Sequence, residues 1–162
     1  MKRIAVFPGS FDPFTIGHEN IVKQGLAIFD HIIVAIGYNS LKKSYFHIDT
    51  RVKFIEELFK DEPRVSVKKY DNMTVDFVKE QGAHTILRGL RTAADFEYER
   101  AIAQINRKMS GIDSVFLLTR PEHTPVNSSI VRDILTHQGD ASLLIPDIIY
   151  KMILKLKENN EK

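Results

Sequence analysis

The sequence predicts an α/β fold, a doubly wound five-stranded parallel sheet followed by C-terminal helices. Short runs rich in Val and Ile alternate along the chain with longer segments in which apolar residues recur at helical spacing. The runs are almost continuously apolar, which is typical of strands buried on both faces. A β-α-β-α order of this kind folds through right-handed crossovers, and its ligands bind beyond the carboxyl ends of the strands.

Each element has a local signal. Strands are expected at 3–7, 31–37, 64–69, 85–87 and 114–119. Helices are expected at 17–29, 50–60, 74–81 and 92–109, and two more begin near 127 and 146. Asp49 and Asn127 are suitable N-caps, Gly111 is a stop signal, and Pro146 marks a helix start. In the longest helix, one face carries the apolar residues Tyr98, Ile102, Ile105 and Met109.

Length and composition exclude several classes of protein. The 162 residues are expected to form one domain, 1–162, with a sizeable core. The formal charge of +2 argues against a nucleic-acid-coating protein, so no nucleic-acid partner is expected. The absence of cysteine excludes disulfides and cysteine-ligated zinc. No signal peptide and no run of about 18 apolar residues is visible, so we expect a cytoplasmic protein without a membrane partner.

The segment GSFDPFTIGH, which follows the first predicted strand, has the chemistry of a phosphate-binding turn. Gly9 allows a backbone to approach a phosphate closely, and Ser10 lies at the ligand-binding edge of the sheet. His18 stands at a helix start, where free N–H groups and the helix dipole favour an anion. The alternative is that His18 is merely a tolerated helix-start residue. The sequence contains neither G-x-x-x-x-G-K-[S/T] nor G-x-G-x-x-G, which excludes a P-loop and a dinucleotide-binding motif.

Two motifs resemble known proteins. Residues 15–18, TIGH, are similar to the T/H-x-G-H signature of the nucleotidyltransferase α/β phosphodiesterase superfamily. Residues 88–99, RGLRTAADFEYE, are similar to the R-G-[LI]-R-x-x-x-D-[FY]-E-Y-E segment of the bacterial phosphopantetheine adenylyltransferases. Lys42-Lys43 fits the same enzymes, and the resemblance extends from Arg3 to about Lys155. It implies a Rossmann-like nucleotidyltransferase fold.

The resemblance implies a reaction in coenzyme A synthesis. ATP and 4'-phosphopantetheine would give dephospho-coenzyme A and pyrophosphate, by in-line attack of the acceptor phosphate on the α-phosphorus without a covalent enzyme intermediate. Such a transfer needs mainly positioning and charge stabilisation from the protein. The resemblance also implies Mg²⁺ bound with the ATP phosphates and not directly by protein side chains, coenzyme A as a feedback inhibitor, and a homohexamer.

The resemblance assigns functional residues. The expected catalytic residues are His18, Lys42 and Arg91. The expected contacts of 4'-phosphopantetheine are Ser10, Lys42, Thr74 and Arg88. The expected contacts of ATP are Ser10, Phe11, His18, Gly89, Leu90, Arg91, Glu99, His123, Thr124, Pro125, Val126, Asn127, Ser128 and Ser129.

Ordinary structural roles are the alternatives for the charged residues. A lysine such as Lys42 is most often a solvated loop residue. For Arg88 and Arg91 the alternative is an ion pair with Asp95 or Glu97, instead of a phosphate site.

The last motif departs from the family pattern. Residues 126–129 are V-N-S-S where the family usually has I-S-S-S. Asn127 is a good N-cap, and its amide can also donate to a phosphate. Ser128 and Ser129 still offer hydroxyls and backbone N–H groups at a helix N-terminus.

Two other functions remain as alternatives. One is a sister nucleotidyltransferase, such as a nicotinate mononucleotide adenylyltransferase or a cytidylyltransferase. The 88–99 segment argues against this alternative. The other is a non-catalytic nucleotide-binding module, which the full set of candidate phosphate-binding residues makes less suitable.

Overall fold

Strands and helices alternate along residues 2–38, 41 and 43–160, which the computed structural model describes. The strands are β1 (Ile4–Gly9), β2 (His31–Gly37), β3 (Val65–Tyr70), β4 (Thr85–Leu90) and β5 (Asp113–Leu118). The helices are α1 (Ile16–Gly25), α2 (Ile48–Leu58), α3 (Thr74–Glu80), α4 (Ala93–Ser110), α5 (Ser128–Thr136) and α6 (Asp147–Asn160), with a 3₁₀ turn at Pro121–His123. No helix in this part of the chain is long and apolar enough to cross a membrane.

The five strands form one parallel sheet in the order β3-β2-β1-β4-β5, and the predicted fold class is confirmed. The chain winds from β1 outward to β3 in one direction and then crosses back to β4 and β5. The direction therefore reverses between β1 and β4. In sheets of this kind, the loops leaving the two strands on either side of the reversal diverge and leave a crevice at the carboxyl edge.

β1 and β4 extend two and three residues beyond their predicted carboxyl ends. β4 continues to Leu90 because Arg88 pairs with Phe116 and Leu90 with Leu118 in the register of β4 with β5. β1 likewise continues to Gly9, which pairs with Ile36 of β2. The predicted ends at 87 and 7 are wrong because these residues gain their strand geometry from a neighbouring strand. As a result, Arg88 projects from the sheet itself.

The core lies on both faces of the sheet, as the near-continuous apolar runs predict. Alternate strand residues face opposite ways. One face packs against α1, α2, α5 and α6, and the strand residues buried there include Ala5, Phe7, Ile32, Val34 and Ile36. The other face packs against α3, and its buried strand residues are Val6, Ile33, Ala35 and Ile86.

Of three predicted helix signals, two are confirmed and one is wrong. Gly111 ends α4 with a left-handed φ of 76°, as expected. Asn127 caps α5, also as expected. Asp49 is not the cap of α2. That residue is His47, whose Nδ1 accepts from Asp49 N at 3.3 Å, while the Asp49 carboxylate pairs with Lys69 of β3 at 2.7 Å. The ion pair holds Asp49 in the first turn of the helix.

The apolar face of α4 does not enter the core. α4 has no buried residue, and Tyr98, Ile105 and Met109 are 69%, 57% and 61% exposed. The helical spacing is as predicted, but this face points away from the sheet. The described chain therefore presents an apolar helix face to its surroundings.

We expect Gly25→Ala to lower the free energy of unfolding. A Cβ at this position would lie 2.8 Å from Ile32 Cδ1 and 2.9 Å from Leu87 Cδ2, both in the core. Overpacking of about 1–3 kcal/mol exceeds the gain in helix propensity of up to about 1 kcal/mol, so the net loss should be about 1–2 kcal/mol. Denaturant unfolding measures it, with the exposed Lys151→Ala as the control. An unchanged midpoint for Gly25→Ala would contradict the close packing of α1 on the sheet.

Candidate active site

A cleft of about 480 Å³ opens at the carboxyl ends of β1 and β4, where the winding of the sheet reverses. Its walls are the turn from β1 to α1, the end of β4, the first turns of α4 and the start of α5. A smaller pocket of about 210 Å³ adjoins it. The two share the lining residues Pro8, Gly9, Arg88 and Glu99.

The turn from β1 to α1, residues 10–15, is fixed by side chains from other elements. Three of its backbone carbonyls accept hydrogen bonds from α2 and α5. These bonds are Arg51 Nη1 to Ser10 O at 2.6 Å, Arg132 Nη1 to Asp12 O at 2.8 Å, and Ser128 Oγ to Pro13 O at 2.8 Å. Contacts from two helices that lie far along the chain therefore set the position of the turn.

Gly9 makes room for an aromatic ring. A Cβ at Gly9 would lie 2.8 Å from Cζ of Phe11. Phe11 is buried and adopts a φ of 46°, which is unusual for a residue with a side chain. Its ring packs between those of Phe7 and Phe14, at centroid distances of 5.1 and 5.3 Å. The Phe11 ring is therefore by itself a reason for glycine here, and the close approach of a phosphate stays a prediction.

His18 lies at the helix start because it completes the cap of α1. Thr15 is the N-cap, and its backbone N–H donates to His18 Nδ1 at 2.9 Å. In return, the backbone N–H of His18 donates to Thr15 Oγ1 at 3.4 Å. This is a capping box in which histidine takes the position usual for Glu or Gln.

The cap also fixes the proton on the His18 ring. Since Nδ1 accepts a backbone N–H, the neutral imidazole carries its hydrogen on Nε2. Burial, and after it the positive charges of Arg88 and Arg91, lower the pKa of His18 to about 3. The ring packs against Phe11 and Phe14 and lines the cleft. At neutral pH it is an uncharged hydrogen-bond donor.

Arg88 is held by Glu99 of α4 and by the backbone of β1. Its Nε donates to Glu99 Oε2 at 2.9 Å, its Nη2 to Glu99 Oε1, and its Nη1 to Pro8 O at 2.6 Å. The Glu99 side chain is only 12% exposed. Arg88 therefore pairs with Glu99 and not with Asp95 or Glu97.

Arg91 is paired with Asp95, one of the two expected partners. The backbone N–H and the Nε of Arg91 donate to Asp95 Oδ2 at 3.0 and 3.2 Å. Burial acts to raise the pKa of Asp95, but these hydrogen bonds outweigh it and lower the pKa. Thr92 Oγ1 accepts from Asp95 N at 3.2 Å and caps α4. Both arginines of the cleft thus have fixed carboxylate partners.

The start of α5 presents polar groups with different remaining hydrogen-bond capacity. Asn127 Oδ1 accepts from Ile130 N at 2.9 Å, which leaves its amide N–H groups as donors. The Ser128 hydroxyl donates to Pro13 O, so its hydrogen is already used. Ser129 Oγ accepts from Arg132 Nη2 at 3.0 Å and keeps its hydrogen for another acceptor.

Comparison with known proteins gives concordant results. The cytidylyltransferase-like family model matches residues 6–134. The chain is 56% identical over 147 residues to a phosphopantetheine adenylyltransferase of Flavobacterium johnsoniae, covering 91% of this chain and 97% of that one. Proteins with the same name are 49% identical in Bacteroides fragilis (89% and 96% covered) and 43% identical in Porphyromonas gingivalis (90% and 95% covered).

The chain belongs to the phosphopantetheine adenylyltransferase family. The residues that its resemblance to this family assigned fall in four groups. Thr74 lines the smaller pocket, and Lys42 lies outside the described residues. The residues that line the larger cleft are Ser10, Phe11, His18, Arg88, Gly89, Arg91, Glu99, Val126, Asn127 and Ser128. Those that line neither pocket are Leu90, His123, Thr124, Pro125 and Ser129.

Leu90 and His123, which line neither pocket of this phosphopantetheine adenylyltransferase, have buried groups. Leu90 is 5% exposed, and its carbonyl accepts from Thr119 N at 2.8 Å, so it belongs to the end of the sheet. His123 ends the 3₁₀ turn, and its Nδ1 is buried without a hydrogen-bond partner among the described residues.

Four residues with polar side chains line the cleft of this phosphopantetheine adenylyltransferase and were not predicted from the sequence as site residues: Thr15, Asp95, Tyr98 and Thr119. The spacing of Thr15 and His18 is that of a capping box, and Asp95 stands four residues after Arg91, so both had a local signal. Tyr98 was placed only on an apolar helix face. Thr119 had no signal beyond its position at the end of a predicted strand.

We expect the His18 imidazole to stay neutral, with its hydrogen on Nε2, from pH 8 down to about pH 4, because its pKa is lowered to about 3. NMR titration of the imidazole nitrogens measures this. In the unfolded chain, histidine titrates near about 6.5. As the pH falls, the unfolded state therefore binds this proton before the folded state does. The free energy of unfolding consequently decreases as the pH falls from about 6.5 towards 3.

The variant His18→Gln is the control, since glutamine keeps the cap but does not titrate. Its free energy of unfolding should fall less than that of the wild type between pH 6.5 and 4. A His18 that titrates near 6.5 would contradict the burial of the ring.

Proposed function

We propose that this protein transfers the adenylyl group of ATP to 4'-phosphopantetheine, giving dephospho-coenzyme A and pyrophosphate in coenzyme A biosynthesis. The observation that carries the proposal is the neutral His18 ring, whose Nε2–H lines the same cleft as Arg88 and Arg91. Such a donor stabilises a phosphate whose charge changes in the transition state without itself gaining or losing a proton.

The reaction is a displacement at the α-phosphorus of ATP. An oxygen of the acceptor phosphate forms the new bond, and the bond from the α-phosphorus to the bridging oxygen breaks as pyrophosphate leaves. His18 Nε2–H donates to an α-phosphate oxygen, and Arg91 offsets charge on the same group. No covalent enzyme intermediate is needed.

The start of α5 suits the leaving pyrophosphate. Asn127 and Ser128 line the cleft there, and the helix N-terminus attracts anions. The amide of Asn127 supplies a donor in place of the hydroxyl that the family has at this position. Ser129 lines neither pocket, so its contact with these phosphates is proposed from the family resemblance alone.

The smaller pocket suits the pantetheine arm of the acceptor. Its lining combines the apolar side chains of Ile86 and Ile102 with the polar groups of Tyr70, Thr74 and Asn106. An alkyl chain with two amide groups needs this mixture. Arg88 lies at the junction of the two pockets, where the phosphate of the arm would meet the α-phosphorus. Lys42 is proposed as a further cation for that phosphate on the basis of the family resemblance alone.

Mg²⁺ is proposed as the cofactor, bound through the phosphate oxygens of ATP. The described residues contain no group of three or more His, Asp or Glu side chains that could hold a metal ion. The donor set would therefore come mostly from the nucleotide and water, which suits an ion that keeps several water ligands. Its chemistry there is to neutralise charge on the phosphates.

The proposed reaction is tested by pyrophosphate release with ATP and 4'-phosphopantetheine. His18→Ala should reduce turnover by about 10² or more, because a transition-state donor is lost. His18→Gln and His18→Glu form a matched pair, since both keep the capping acceptor but only glutamine keeps an N–H. Glutamate should be the least active variant. The role of His18 as a transition-state donor would be excluded if His18→Ala kept wild-type turnover. It would also be excluded if His18→Glu were as active as His18→Gln.

Acceptor recognition is tested separately from ATP recognition. Removing Arg88 alone would leave the Glu99 carboxylate without its partner, so the informative variant is Arg88→Ala with Glu99→Gln. Glu99 is itself an expected ATP contact, so the double variant is compared with Glu99→Gln alone. Relative to that reference it should weaken 4'-phosphopantetheine binding by about tenfold or more, as should Lys42→Ala relative to the wild type, with a smaller effect on ATP. Unphosphorylated pantetheine should be a very poor acceptor. Calorimetry that finds equal losses for both ligands would contradict the assignment.

The protein is further proposed to form a homo-oligomer, a hexamer by family resemblance, through the exposed apolar face of α4. Ile105 and Met109 are 57% and 61% exposed on this face, and an apolar patch is normally covered by a partner. Ile105→Lys with Met109→Lys should dissociate the assembly in analytical ultracentrifugation. The control Leu143→Lys, at an 85% exposed leucine of the α5–α6 loop, should not. A monomeric wild type would refute the proposal.

Two smaller proposals accompany this function. Coenzyme A contains the pantetheine arm and the adenylate of the product, so it should compete for the cleft and act as a feedback inhibitor. A cytoplasmic location is proposed because the substrates of this reaction are cytoplasmic metabolites in bacteria.

A further inference from the structure

Two hydroxyl groups in the lining of the smaller pocket are bonded to each other. Tyr70 ends β3 and Thr74 begins α3, and Tyr70 Oη lies 3.0 Å from Thr74 Oγ1. Both residues line the smaller pocket, and neither lines the larger cleft. A change in this pair is therefore expected to act on the ligand of the smaller pocket and to leave the nucleotide site unchanged.

The bond between the two hydroxyls is not part of the cap of α3. The N-cap of this helix is Met73, and no side chain makes a capping hydrogen bond there. A threonine near a helix start often bonds to the backbone of its own helix. Among the residues that the structure describes, Tyr70 is instead the hydrogen-bond partner of the Thr74 hydroxyl. The direction of this hydroxyl is therefore set by a residue of β3.

The phenol ring of Tyr70 is itself closely packed. It stacks on Phe77 of α3 with a centroid distance of 4.8 Å and an interplanar angle of 23°, and Phe77 is only 4% exposed. Gly37 of β2 lies beside the same ring, since a Cβ there would stand 3.4 Å from Tyr70 Oη and 3.5 Å from its Cζ. The Tyr70 hydroxyl is thus a fixed partner for Thr74.

We propose that Tyr70 donates to Thr74 and is thereby a positioning residue for the acceptor. A phenolic hydroxyl is more acidic than an aliphatic one and is the better donor of the two. Thr74 Oγ1 then accepts from Tyr70 and keeps its own hydrogen for an amide carbonyl of the pantetheine arm. A donor that is oriented in advance loses less freedom when the ligand binds. This inference rests on the proposed function of the smaller pocket.

Tyr70→Phe is the first test, because it removes one oxygen and keeps the ring that stacks on Phe77. In the full-length enzyme, KM for 4'-phosphopantetheine should rise by about threefold to tenfold, the usual effect of losing one hydrogen bond. The change in kcat should be smaller than about twofold, since the groups around the reacting phosphates are untouched. The dissociation constant of ATP, measured by calorimetry, should also change less than about twofold.

Variants of Thr74 separate an indirect role of Tyr70 from a direct one. Thr74→Val removes the donor itself and should raise the acceptor KM at least as much as Tyr70→Phe does. Thr74→Ser keeps the hydroxyl and should stay near the wild type. In the double variant Tyr70→Phe with Thr74→Val, loss of the phenol should add less than about twofold to the effect of Thr74→Val, because the hydroxyl that it orients is already absent.

Tyr150→Phe is the matched control. The Tyr150 hydroxyl also makes a side-chain hydrogen bond, to Asp140 of the α5–α6 loop, and Tyr150 lines neither pocket. This variant loses a phenolic hydrogen bond as Tyr70→Phe does, but it should leave every kinetic constant unchanged.

Four results would overturn the proposal. Tyr70→Phe could keep the wild-type acceptor KM, or it could weaken ATP binding as much as acceptor binding. It could raise the acceptor KM further in the Thr74→Val background, which would make Tyr70 a direct contact of the arm. Neither Tyr70→Phe nor Thr74→Val could fold, which would make the pair a folding determinant. Failure of the proposed function is distinguishable, since the wild type would then release no pyrophosphate.

Discussion

The reciprocal hydrogen bonds between Thr15 and His18 are the contact on which the rest of the site depends. They begin α1, which packs on the sheet beside β4. The bond from Thr15 N to His18 Nδ1 also decides which nitrogen of the ring carries hydrogen, and hence that the nitrogen left free is a donor. An N-cap of this kind contributes about 1 kcal/mol to stability. One local contact therefore serves both the fold and the chemistry of the cleft.

The charges around His18 are arranged in pairs. Arg88 and Arg91 each have a carboxylate partner on α4, which fixes their orientation before any ligand arrives. Donors that are already oriented need little reorganisation when a phosphate binds, and this is where enzymes gain most of their electrostatic stabilisation. Burial of the ring, and after it the two cations, keep His18 uncharged by lowering its pKa. The positive field and the neutral donor are consequences of the same arrangement.

Helix α4 connects the site to the surface of the molecule. Its first turns supply Asp95 and Glu99, and its middle supplies Ile102 and Asn106 to the smaller pocket. The same helix has no buried residue and exposes Ile105 and Met109. A partner that covered α4 would therefore lie against the wall of the proposed pantetheine site, and assembly would affect acceptor binding through this helix.

The sequence by itself determined the order of elements, the parallel sheet, the turn before α1 and the family. These follow from local patterns: apolar runs, helical periodicity, and short motifs such as TIGH and RGLRTAADFEYE. The caps at Gly111 and Asn127 were also predictable, because a cap involves residues only a few positions apart. Most of the candidate site residues were named from motifs on the same basis.

The tertiary structure decided how those residues are held. Arg88 reaches a carbonyl 80 residues away, and Arg51 reaches one 41 residues away. The ring of Phe11 fills the space over Gly9, β4 lengthens because β5 lies beside it, and Lys69 keeps Asp49 within α2. Local patterns report only what neighbouring residues can do, whereas each of these contacts exists because folding brings distant segments together. The choice of partner for each charge is made at that step.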